Sequence, residues 1–182
     1  MADVIRADAR RNRERILQAA TAAFTAADSV SLEAIARDAG VGIGTLYRHF
    51  PTREALVEAV YRAELAEVAD SAQVLLKTHP PIQALRLWMD RYAAFVAAKQ
   101  GMAQSLRAIF ETGAVAQSDT RTAVLAAVDA LLTAGADNGG LRSDVPADDV
   151  VTALLGIMLA SGSPEQSQRM FDLLLAGLVA GR

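Results

Sequence analysis

Apolar residues recur along the chain at intervals of three and four, the spacing of one helix face, and β-branched runs are short. This pattern predicts an all-α protein of about nine helices. The first is expected from about Arg10 to Ala27, with Ile16, Ala20, Ala23, Phe24 and Ala27 as its stripe and Asp28-Ser29 as its end. Ser31 is placed to cap a short second helix, Leu32 to Ala39. Gly40 then supplies the left-handed position that follows many helix ends. A third short helix is expected from Gly42 to His49, stopped by Pro51. Thr52 caps a long fourth that runs to about Leu76, with the stripe Leu56, Val60, Tyr61, Leu65, Val68 and Leu75.

His79-Pro80-Pro81 breaks the pattern. The fifth helix, Ile82 to Lys99, carries Leu85, Trp88, Met89, Tyr92, Phe95 and Val96. After Gly101 a short sixth segment holds Leu106, Ile109 and Phe110, and Gly113 opens a polar loop to about Asp119. A seventh helix is expected over Thr120 to Ala136, then a turn at Asn138-Gly139-Gly140. The eighth, Ala147 to Ala160, starts with Asp148 and Asp149 at the positive end of its dipole. Ser163-Pro164-Glu165-Gln166 opens the last: Ser163 caps it, Pro164 takes the first helical position and Gln166 closes a capping box. Met170, Phe171, Leu174, Leu175 and Leu178 follow.

Composition narrows the function classes. Of 182 residues 52% are apolar, but they are dispersed, and no run reaches the ~18 that a membrane span needs. The early charges in Met1-Ala2-Asp3-Val4-Ile5-Arg6, with no apolar stretch after them, do not read as a secretory leader, so the cytoplasm is the expected compartment. The absence of cysteine excludes disulfides and thiolate chemistry. His49 and His79 lie far apart, and no nucleophile–base pair or metal-ligand set stands out, so no enzyme, metal or cofactor is expected. The net charge is −3, yet it is uneven. Residues 1–62 hold nine Lys/Arg against eight Asp/Glu, residues 63–182 nine against thirteen, and Arg6, Arg10, Arg11, Arg13 and Arg15 crowd together. Positive charge that would meet phosphates is local.

One stretch carries chemistry, Ser31 to Leu56. Two short helices flank a tight turn at Gly40, small Ala36 lets them cross closely, and Ile35, Ala39, Val41, Leu46 and Phe50 supply a shared apolar core. That is a helix-turn-helix, whose second helix enters the DNA major groove. The triplet Gly40-x-Gly42-x-Gly44 is not a nucleotide loop, since no strand precedes it and no Lys-Ser/Thr follows.

Ile35-Ala36, Ala39-Gly40-Val41, Gly44-Thr45-Leu46-Tyr47 and His49-Phe50, followed by Glu54-Ala55-Leu56, resemble in order and spacing the signature of the tetracycline-repressor (TetR) family. The resemblance covers about residues 10–56; beyond it, agreement is in length and helical plan. Gly42 stands where Ser or Thr is usual and Arg53 where Lys is usual. The resemblance implies a helix-turn-helix DNA-binding domain at 1–55 and a helical ligand-binding and dimerisation domain at 56–182, although composition changes nearer residue 62, inside the fourth helix. It also implies a DNA face of Gly42, Ile43, Thr45, Tyr47, Arg48 and His49, with Tyr47 and His49 on phosphates and Arg48 in reach of a base. Ser31 and Thr52 would offer hydroxyls to phosphates, and Arg53 with Arg10, Arg11 and Arg13 salt-dependent attraction.

In the C-terminal half, although aromatic and Met stripes at helical spacing more often belong to the core, the resemblance makes Trp88, Tyr92, Phe95, Met102, Leu106 and Phe110 the expected lining of an effector pocket, with Arg86, Arg91, Gln104 and Arg107 as polar groups to orient a ligand. Few charges lie among them, which suggests an apolar or amphiphilic effector. Leu154, Leu155, Met158, Leu159, Phe171, Leu174 and Leu178 are the expected contacts of a homodimeric four-helix bundle, and equally a cover for the subunit's own core. The implied function is a sequence-specific transcriptional repressor, released from a palindromic operator by a small molecule. The alternative is an effector-independent nucleoid or division-type DNA-binding protein.

Overall fold

A computed structural model describes residues 2–26, 30–99 and 117–181. Eight helices are described: α1 (Ala2–Ala26), α2 (Leu32–Asp38), α3 (Ile43–His49), α4 (Arg53–Thr78), α5 (Pro81–Ala98), α6 (Gln117–Asp137), α7 (Ala147–Ala160) and α8 (Pro164–Leu178). No helix among the described residues is long and apolar enough to cross a membrane. The expected sixth segment, with Met102, Leu106 and Phe110, lies outside the described residues. The helix expected to begin near Arg10 starts eight residues earlier, so the N-terminal arginines stand on a continuous helix.

The end signals act as their chemistry predicts. Ser31 Oγ accepts the Ala34 N–H at 3.2 Å, and Thr52 Oγ1 accepts that of Ala55 at 3.1 Å. Gly40 has φ +63° and lets the Val41 N–H return to the Ala36 carbonyl at 2.9 Å, closing α2. Ser163 Oγ accepts from the Gln166 N–H, but Gln166 Oε1 takes the Gly162 N–H at 2.8 Å, one residue upstream of the expected capping box.

The described residues fall into two compact units. The first runs to Ala63 and takes in Ala98 and Lys99; the second takes Glu64–Ala97 and the described residues from 117 onward. The division falls within α4, eight residues beyond the boundary expected at 55/56. In the first unit Ile16, Ala20 and Phe24 of α1 pack with Leu32, Ile35 and Ala36 of α2, Leu46 of α3, Phe50, and Leu56, Val57 and Val60 of α4. Every one of these side chains is at least nine-tenths covered, which fixes the α2–α3 angle from three sides. In the second unit Leu85, Trp88, Met89, Val128, Leu131, Leu154 and Phe171 are fully covered. Gly135 lies so close to Leu141 that an added Cβ would sit 2.3 Å from Leu141 Cδ1. Leu141 pairs with Val179 in an isolated antiparallel bridge.

Candidate nucleic-acid interface

The interface is built from α3 outward. Leu46 and Phe50 anchor one side of the helix in the core, fully covered or nearly so. The opposite side is left to solvent: Ile43 and Tyr47 are 37% and 45% exposed, Gly44 and Arg48 are exposed, and Thr45 and His49 are half-buried at the flanks. The Gly42 carbonyl starts the helix by accepting the Thr45 and Leu46 N–H groups at 2.8 and 3.2 Å. The expected DNA-facing residues Gly42, Ile43, Thr45, Tyr47, Arg48 and His49 are thus brought together on one short element. Ser31 and Thr52 cap α2 and α4; each hydroxyl oxygen accepts a backbone N–H, which leaves its own hydrogen to donate.

The arginines divide by what they touch. The Arg53 guanidinium lies 5.2 Å from the centre of the Phe24 ring and donates to the Val30 carbonyl, so it clamps the start of α4 to the segment before α2. The phosphate role expected for it from sequence stands beside these internal contacts. Arg13 sits 5.0 Å over Phe50, at the end of α3. Arg10 and Arg11 pair along α1 with Glu14 and Asp8, and Arg15 donates to Asn12 Oδ1 at 2.6 Å. Exposed pairs of this kind are weak and screened by salt, so phosphate can displace them. His49 faces a groove of about 500 Å³ shared with Arg13, Phe50, Glu58 and Arg62.

Residues 16–60 match the family model "Bacterial regulatory proteins, tetR family", and residues 80–180 match "Transcriptional regulator SbtR-like, C-terminal domain". A TetR transcriptional regulator from Streptomyces coelicolor is 45% identical, with 93% of this chain and 99% of that chain covered and a TM-score of 0.78. The chain belongs to the TetR family. A TetR regulatory protein from Mycobacterium vanbaalenii is 35% identical over 97% of this chain and 99% of that one, with a TM-score of 0.74. Helix-turn-helix transcriptional regulators of Staphylococcus aureus are 28% identical over 107 residues; the chain spans 58% of the length of these curated relatives. This TetR-family protein is a helix-turn-helix, DNA-binding transcriptional regulator.

The family's C-terminal half carries the remaining expected sites. Trp88 and Tyr92 stack with ring centres 5.3 Å apart, and Tyr92 and Phe95 follow at 6.5 Å. All three are buried, and the Trp88 indole N–H donates to the Val68 carbonyl of α4 at 3.0 Å. Met102, Leu106, Phe110, Gln104 and Arg107 lie outside the described residues. Arg86 does not join the aromatic face. It crosses to α8, with Nε 2.7 Å from Asp172, Nη1 2.5 Å from Asp90 and its plane over Phe171. Burial opposes its charge, but the hydrogen bonds to Asp172 and Asp90 outweigh that and hold its pKa above the usual arginine value.

The expected dimer contacts split. Leu154 and Phe171 are fully covered within one chain and Leu178 is 4% exposed, so these three belong to the subunit core and have no surface to offer a second copy. Met158 and Leu174 are half-buried. The large outward apolar side chains of α7 and α8 are Leu159, 84% exposed, Leu173, 66%, and Met170, 39%. Leu173 was legible: Phe171 and Leu178, seven apart, mark the buried face, and a residue two positions from Phe171 falls on the opposite one.

Proposed function

We propose that this regulator acts as a homodimeric repressor, released from a palindromic operator by a small molecule bound in its C-terminal unit. What carries the reading is the outer face of α3. Tyr47, Arg48, Ile43 and the bare Gly44 are held outward by a helix whose other side is locked by Leu46 and Phe50. A dimer would set two such helices about one DNA turn apart, roughly 34–36 Å, on a two-fold site. Leu159, Leu173 and Met170, with Met158 and Leu174 beside them, offer the apolar surface for the second copy.

The effector reading rests on α5 and α4. Trp88, Tyr92 and Phe95 form a stacked aromatic face suited to an apolar or amphiphilic molecule. Trp88 is hydrogen-bonded to Val68 on α4, and α4 is one uninterrupted helix that begins just after the recognition helix. A ligand that displaces the aromatic ladder therefore acts directly on the helix leading to the DNA-binding unit. Such coupling is reciprocal, so operator weakens effector binding by the same factor.

The test is binding to the duplex upstream of the protein's own gene at two salt concentrations, with wild type and Tyr47→Ala. Tight, salt-sensitive binding that the variant loses supports the reading. If that duplex and a pool of random duplexes both yield no preferred sequence, the repressor reading is wrong. Broad, sequence-independent genomic coverage would favour an architectural role instead.

A further inference from the structure

Arg48 stands midway in number between Leu46 and Phe50, so at 3.6 residues per turn it lies opposite the buried edge of α3. Its side chain runs back toward the helix N-terminus, the direction helical side chains favour. There Nε–H donates to the Gly44 carbonyl at 3.2 Å, and Nη2 donates to Thr45 Oγ1 at 3.2 Å. These two donors form one edge of the guanidinium. The other edge, Nη1 with the second Nη2 hydrogen, has no hydrogen-bond partner among the described residues. It is the fork whose geometry matches O6 and N7 of guanine in the major groove.

The two glycines of this turn have no internal explanation. Neither Gly42 nor Gly44 has a positive φ, and a Cβ on either would meet nothing within 4 Å. Their effect is external: the surface beside the guanidinium is bare backbone, and a nucleic-acid edge can approach it closely.

Resting on the operator-binding reading above, we propose that Arg48 reads one guanine in each half-site through its Nη1/Nη2 edge. Thr45 is the positioning residue that sets the guanidinium plane before DNA arrives. Ordering the side chain in the free protein lowers the entropy lost on contact. The hydroxyl of Thr45 therefore acts on base choice through Arg48.

Selection from random duplexes, followed by titration of the selected site and its single-base variants, tests both parts. Wild type is expected to prefer guanine at one position per half-site by roughly tenfold or more. Arg48→Ala and Arg48→Lys flatten the preference at that position alone. Thr45→Val reduces it several-fold, and Thr45→Ser, which keeps the hydroxyl, restores it. If wild type selects a palindrome and Arg48→Ala weakens all sequences alike with a shallower salt slope, Arg48 is a phosphate contact and the proposal falls while the operator-binding reading stands. An unchanged preference in Thr45→Val removes Thr45 from the mechanism. No selected sequence from wild type overturns both readings together.

Discussion

The two units use apolar surface differently. In the unit that holds the residues up to Ala63, the large apolar side chains left exposed among the described residues are Ile43 and Tyr47, both on α3. In the unit that begins at Glu64 they are Val74, Leu159, Met170, Leu173 and Val179, spread over α4, α7, α8 and the segment after it. A small helix-turn-helix has few outward positions, and these exposed apolar ones lie on the helix proposed to meet DNA. The larger helical unit covers its own core and also leaves apolar side chains outward, with the same residue types in both places. Exposure in the folded chain, more than residue type, separates the two uses.

The sharpest test of that separation compares near neighbours on α8. Phe171 is fully covered, with Arg86 over its ring, and Phe171→Ala is expected to cost the subunit about 3–5 kcal/mol. Denaturant unfolding reads this directly. Leu173, two residues on, is predicted to act on association instead. Leu173→Glu buries an unpaired charge in the proposed interface, which costs about 3 kcal/mol, or more than a hundredfold in the dimer dissociation constant. Sedimentation equilibrium should show half the mass with helix content kept. A Leu173→Glu protein that stays dimeric would move the interface off this face.

On the other side of the comparison, Tyr47→Ala should weaken operator binding by about 1–3 kcal/mol and leave the unfolding midpoint in place, because nearly half of the ring is already in solvent. A large loss of stability in this variant would mean that its ring serves the core.

How much was legible in the sequence follows from the same contrast. The helix ends were legible wherever one residue type has one local use: Ser31, Gly40, Thr52 and Ser163 all act within four residues of themselves. The outward set of α3, proposed above to face DNA, was legible as a solvent-facing set because a seven-residue helix with Leu46 and the following Phe50 inward leaves little choice for the rest. What pattern could not show was where long side chains go. Arg53 was expected at phosphates and Arg86 at a ligand, and pattern gave no sign that Arg53 would reach Phe24 and the Val30 carbonyl or that Arg86 would reach Asp172 and Asp90. Leu154, Phe171 and Leu178 could be read as interface or as core, because a core stripe and an interface stripe share one period.

Smaller effects refine the first unit. Gly40→Ala forces an L side chain into φ +63°, an expected cost of about 1–2 kcal/mol in unfolding free energy. The cause is backbone strain, since the nearest atom to the new Cβ would be Arg15 Nη1 at an ordinary 3.5 Å. Gly44→Ala in the same unit has neither a positive φ nor a close neighbour, and should leave stability within about 0.5 kcal/mol of wild type or raise it. If the two variants unfold alike, the turn at Gly40 does not demand glycine.

Arg53→Lys carries the smallest effect and separates two roles that the sequence merged. Lysine keeps the positive charge that phosphates respond to, and it is the residue usual at this place in the signature. It lacks the planar fork that lets Arg53 lie over Phe24 and donate to the Val30 carbonyl at once. If Arg53 served DNA through its charge alone, Arg53→Lys would leave stability and operator affinity both unchanged. As an internal clamp, its replacement should lower stability by about 0.5–1 kcal/mol, while the salt slope of DNA binding stays the same because lysine keeps the charge. Unaltered stability would remove the clamp and return Arg53 to the DNA face.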